Sequence, residues 1–109
     1  MEDLQKKVKK FCREHKLESK PEHRALDLAS EVGELSKEIL KLSDYGKKSI
    51  EVKGQDFKAL ENELGDVLFS LMTIANYFDI SLEEALEMVL KKYEKRTKKG
   101  GAGSEHELH

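Results

Sequence analysis

The chain has few of the residues by which small proteins stabilise themselves other than through packing: one cysteine, Cys12, one proline and no tryptophan. A lone cysteine excludes an intramolecular disulfide and a multi-cysteine zinc site. No apolar run has the length of a membrane span or the form of a signal peptide, so a cytoplasmic location without a membrane partner is expected. Charge of one sign is lacking too. The formal net charge is -2 with both signs interspersed, which leaves no overall field to draw in nucleic acid or an anionic lipid surface. Aromatics make up only 6% of residues and charged residues 39%, a balance that suits amphipathic helices better than strands. At 109 residues there is room for one domain around one core. The expected class is all-α.

Apolar residues recur at helical spacing in four segments. Met1 to about Lys16 carries Leu4, Val8 and Phe11 on a lysine-rich background. Pro21 suits the first turn of a second helix to about Ser43, with Leu28, Val32, Leu35, Ile39 and Leu42 as its apolar seam. Asp44 to Gly54 has no sustained period and reads as a connection, with room for a short extended piece. From about Asp56, the residues Leu60, Leu64, Val67, Leu68, Leu71, Ile74, Ala75 and Phe78 form a broad apolar face, predicting a central and heavily buried third helix. Ser81 is a candidate N-cap, with Glu84 completing the capping-box pattern of a fourth helix through about Arg96. These segments make one helical domain over residues 1–96. Residues 97–109, basic and then glycine-rich, are expected to form a flexible tail.

The two longest helices repeat one pattern, acid-apolar-Gly-acid-apolar: Glu31-Val32-Gly33-Glu34-Leu35 and Glu63-Leu64-Gly65-Asp66-Val67. Acids three apart share a helical face, so each segment projects two carboxylates one way, and two facing helices can surround one cation. Spacing alone is weak evidence. With 22 acids in the chain, about four such pairs arise by chance. Position adds more, because both pairs flank an apolar seam and none of the four has a lysine four residues on to mark a solvated ion pair. Unpaired acids beside a core repel one another, and a bound cation is the simplest compensation. The mid-helix glycines Gly33 and Gly65 each cost about 1 kcal/mol relative to alanine. Close helix approach or a subunit interface would account for them.

An all-oxygen donor set favours Mg²⁺, with Mn²⁺ as the other fit, over softer metals. Helical bundles that hold two irons use Glu-x-x-His, and no histidine here follows a glutamate at that spacing. His15 and His23 lie apart from the acids, and Cys12 has no neighbour that marks it as a nucleophile. Mg²⁺ sites usually keep positions for water and substrate phosphates, so such a cluster recruits a polyphosphate. Lys91, Lys92, Lys95 and Arg96 at the end of the fourth helix are available to contact it, or simply complement the helix dipole. Phe11, Tyr45, Phe57 and Tyr77 are candidates to stack on a base, a role that competes with core or interface packing.

At these residues the sequence resembles the MazG-type nucleotide pyrophosphohydrolases, whose motif is Glu-Glu-x-x-Glu followed after a spacer by Glu-x-x-Asp. The resemblance rests on S-E-V-G-E-L-S-K-E-I, E-N-E-L-G-D-V-L-F-S-L and D-I-S-L-E-E-A-L, and spans most of Pro21 to Arg96. Ser30 stands where the family often has its first Glu. The resemblance implies a four-helix bundle assembling as a dimer or tetramer. It further implies Mg²⁺-dependent hydrolysis of a nucleoside triphosphate between its α and β phosphates, a house-cleaning of nucleotides that yields a monophosphate and pyrophosphate. Glu31, Glu34, Glu63 and Asp66 carry over as metal ligands. Glu38 is a candidate to position or deprotonate the attacking water, and Lys92 and Arg96 to hold phosphate. The reading from another class is a non-catalytic helical module that binds a cation or a protein partner through the same acids.

Overall fold

A computed structural model describes residues 1–99, and Gly100 to His109, including His106, His109 and most of the expected tail, lie outside the described residues. Four helices follow in order: α1 (Glu2–Glu14), α2 (Pro21–Leu42), α3 (Lys58–Tyr77) and α4 (Leu82–Lys98). No strand occurs among the described residues, and the 44–54 connection has turns at both ends and an irregular stretch over 49–52. The class is all-α, as the periodicity requires. Pro21 occupies the start of α2, where its missing N–H costs nothing. The Ser81 hydroxyl accepts the Glu84 N–H at 3.2 Å and caps α4, which runs two residues beyond its expected end at Arg96.

The first three helices stop in the same way. Lys16, Asp44 and Asp79 adopt positive φ of 55°, 49° and 54°. The next residue's N–H then returns to a carbonyl five back: Leu17 to Cys12, Tyr45 to Leu40 and Ile80 to Ala75. This is the left-handed helix stop that usually takes glycine, made here without one.

The packed pairs are α2 with α3 and, less extensively, α1 with α3, while α4 packs extensively against neither α2 nor α3. Gln5 ties the elements together at one end. Its side chain donates to Asn76 Oδ1 (3.1 Å) and the Ile80 carbonyl (2.8 Å), and accepts the Leu82 N–H at the first turn of α4 (2.8 Å).

The expected central core is thin in the single chain. Among the described residues only Cys12, Met72 and Ala75 are buried apolar residues, and α3 is not the heavily buried helix its composition suggests. Leu64 remains 51% exposed and Phe78 54%. The apolar face of α3 is broader than α1 and α2 together can cover. On α2 the half-buried positions after Pro21 are Arg24, Leu28, Glu31, Leu35, Glu38 and Leu42, whereas Val32 and Ile39, expected in the seam, are exposed. The Cα radius of gyration, 17.0 Å, exceeds the roughly 13 Å of a compact chain of this length.

Candidate metal centre

Glu31 and Glu63 lie within the α2–α3 seam rather than beside it. The positions of α3 withdrawn from solvent include Leu60, Glu63, Val67, Ser70, Met72, Ile74 and Ala75, and those of α2 include Leu28, Glu31 and Leu35. The helices are antiparallel, with Arg24 reaching Phe69 at one level and Glu31 meeting Glu63 at another. Acids therefore occupy positions that adjoining turns fill with leucine or valine. Glu31, Glu63 and Asp66 each offer a carboxylate oxygen, and the three atoms lie within 4.8 Å of one another.

Glu63 Oε2 is buried and has no hydrogen-bond partner. Ionised neighbours cannot supply one, because a carboxylate only accepts. Burial, then the charges of Glu31 and Asp66 and a hydrogen bond that protonated Glu63 can make to Glu31, push the Glu63 carboxyl above its ordinary range, and the charge of Glu34 adds to the effect. Two arrangements satisfy the orphan oxygen: a proton shared with Glu31, or a cation among the three groups. The donors are all hard oxygens, the set that suits Mg²⁺ or Mn²⁺.

The other expected site residues are placed differently. Glu34 is exposed and outside the three-oxygen group. Glu38 is held by Lys41 Nζ at 3.1 Å, and that bond raises the Lys41 pKa. Lys92 and Arg96 both lie over the Tyr93 ring, 5.3 and 5.8 Å from its centroid, on a helix that does not run along its own α2–α3 pair. A Cβ built on Gly33 or Gly65 meets nothing within 4 Å, so close approach of α2 to α3 does not explain either glycine. Both lie about 200° around their helices from the preceding acid, on the outer faces. His15 packs on Phe11, and Cys12 is buried with its thiol pKa pushed up by that burial. Tyr45 and Tyr77 are exposed, and Phe57 is half-buried.

Two residues farther along the same seam escaped the sequence reading. Arg24 lies one heptad before Glu31, and its guanidinium sits 5.7 Å over the Phe69 ring, three residues past Asp66. Counting back seven from Glu31 and on three from Asp66 finds both, because the seam repeats at that interval.

Known proteins resemble the chain over this region. The Bacillus subtilis protein YpjD, itself uncharacterized, is 45% identical over 71 residues, which are 65% of this chain and 61% of that protein. The chain thus matches about three-fifths of the length of that relative. The crystal structure of YPJD from Bacillus subtilis, described as a candidate pyrophosphatase, superposes with a TM-score of 0.69 at 36% identity, covering 84% of this chain and 92% of that one. The model of the MazG nucleotide pyrophosphohydrolase domain matches residues 19–101, which include α2, α3, α4 and all the acids described, and the chain belongs to that family.

Proposed function

We propose that this chain is a Mg²⁺-dependent nucleoside triphosphate pyrophosphohydrolase, taking water and a triphosphate to a nucleoside monophosphate and pyrophosphate and so clearing unwanted nucleotides. The observation that carries the reading is the convergence of Glu31, Glu63 and Asp66 around an oxygen with no donor, on the motif that places the chain in its family. Glu31, Glu63 and Asp66 would hold the ion, with Glu34 at its exposed side. The ion supplies charge shielding for the phosphates and a lowered pKa for water. Glu38, one turn beyond Glu34, orders the attacking water. Lys92 and Arg96 neutralise phosphate charge as the bridging oxygen departs with pyrophosphate.

We further propose that the working unit is a dimer or tetramer. Val32 and Ile39 on α2, Leu64, Leu68, Leu71 and Phe78 on α3, and Leu86 and Leu90 on α4 are all exposed in the single chain. Stripes of that extent usually mark an interface. None of the four described helices is long and apolar enough to cross a membrane, so these stripes are not spans.

The test is to incubate purified protein with canonical and modified nucleoside triphosphates and Mg²⁺ while measuring pyrophosphate release. Release is expected, with loss in Glu34→Gln and Asp66→Asn. Absence of release with every nucleotide would overturn the activity, and full Mg²⁺-dependent activity in either variant would overturn the ligand assignment.

A further inference from the structure

We propose that the base of the nucleotide stacks on an aromatic wall made by Phe11, His15 and Phe69, with Phe11 as its exposed working face. The proposal rests on the pyrophosphohydrolase reading for its ligand class, and on the following geometry for its place. Phe69 follows Asp66 by three residues, about 4.5 Å along α3, and helical side chains lean toward the N-terminus, here toward the acids. Its ring meets Phe11 edge-on at 6.5 Å, and Phe11 lies 4.3 Å from the His15 ring at an interplanar angle of 37°. Phe11 is nevertheless 46% exposed, so ring surface remains open on the α1 side of Phe69.

The wall is held from behind. Arg24 covers Phe69 at 5.7 Å, its side chain is only 14% exposed, and it donates to the Leu17 carbonyl of the α1–α2 turn. Its nearest carboxylate, Asp27, is 3.9 Å away, so the guanidinium is committed mainly to the ring and the turn. Arg24 is thus a positioning residue: it fixes Phe69 and the end of α1 against each other. Tyr77 is eleven residues past Asp66, about 16 Å along the helix, too remote to share one nucleotide with the acids. The wall offers mainly ring faces, with the His15 imidazole its one ring that can donate to or accept from a base edge. Recognition is therefore by stacking, which every base supports, and discrimination between bases should be slight.

The experiment pairs binding with kinetics. Saturation-transfer NMR on the full chain with each common nucleoside 5′-monophosphate, without metal, should show transfer to base protons that is lost in Phe11→Leu and kept in Phe11→Tyr. Stacking is made equally in the ground and transition states, so Phe11→Leu should raise KM for nucleoside triphosphates about tenfold with kcat little changed. Phe11→Tyr should restore KM. The proposal is overturned if Phe11→Leu keeps base-proton transfer, or if the variant changes oligomer mass while KM stays constant. If the wild-type protein cleaves no triphosphate, the activity fails on its own, and the NMR comparison still decides the base contact.

Discussion

Gln5 and Asn76, 71 residues apart, bond reciprocally: Gln5 Nε2 donates to Asn76 Oδ1 at 3.1 Å, and Asn76 Nδ2 donates to the Gln5 carbonyl at 2.9 Å. Gln5 is buried, and the same side chain also serves Ile80 and Leu82. Three elements therefore depend on one amide. Gln5→Leu keeps most of the volume but strands Asn76 Oδ1, the Ile80 carbonyl and the Leu82 N–H in part-buried positions. A loss of about 2–3 kcal/mol is expected in denaturant unfolding, with early loss of hydrogen-exchange protection in the first turn of α4. Unchanged stability would mean that these groups are reached by water.

The stop of α1 at Lys16 carries a conformational cost. A side chain at φ 55° is strained relative to glycine by roughly 1–2 kcal/mol, less the roughly 0.5–1 kcal/mol that glycine adds to the freedom of the unfolded chain. Lys16→Gly is therefore expected to stabilise the protein by roughly 0.5–1 kcal/mol, read as a rise in the denaturant midpoint at constant slope.

These stops show what the chain made legible and what it concealed. Pro21 and Ser81 announce two helix starts because each acts through its own local chemistry, and both starts are found where expected. The stops at Lys16, Asp44 and Asp79 carry no glycine, yet α1 and α2 end close to the expected Lys16 and Ser43, because the apolar period itself lapses there. What the chain concealed is the seam. Val32 and Ile39 are apolar, but periodicity reports which residues avoid water and not which helix covers them. The acids were legible as a shared face, since Glu31, Glu63 and Asp66 follow from spacing. That Glu34 would lie outside the group depends on how α2 is rotated against α3, which only packing decides.

Glu63 links the centre to pH. Its carboxyl is raised in the folded protein by burial and by Glu31 and Asp66, so the folded state holds the proton more tightly than the unfolded chain. That contribution to stability is fully present below the ordinary carboxylate pKa and is lost as pH rises through the raised value. The metal-free protein should therefore melt at lower temperature on the alkaline side of that window. Stabilisation by Mg²⁺ should run the opposite way, growing as the proton leaves. Glu63→Gln should flatten the metal-free profile and abolish the Mg²⁺-dependent rise in Tm. Thermal melts across the acidic range with and without Mg²⁺ read both effects, and an Mg²⁺ shift that survives in the variant would remove Glu63 from the ligand set.

The position of α4 bears on how a complete site is assembled. Lys92 and Arg96 ride on a helix that is anchored at its first turn through Leu82 and Gln5 and does not lie along its own α2–α3 pair. The α4 apolar residues Leu86 and Leu90 are 54% and 56% exposed, in keeping with a helix that packs on a second copy. If α4 does so, its basic end serves the acids of that copy. Glu63→Gln and Arg96→Ala should then each be inactive alone, yet mixing them through mild denaturation and refolding should restore activity. In a random mixture of dimers, half are mixed and each mixed dimer has one intact site of two, so recovery approaches roughly a quarter of the wild-type rate. Service within one chain leaves every site in the mixture with a defect, and no recovery follows. The two outcomes differ by the whole signal, and refolded wild-type protein provides the scale.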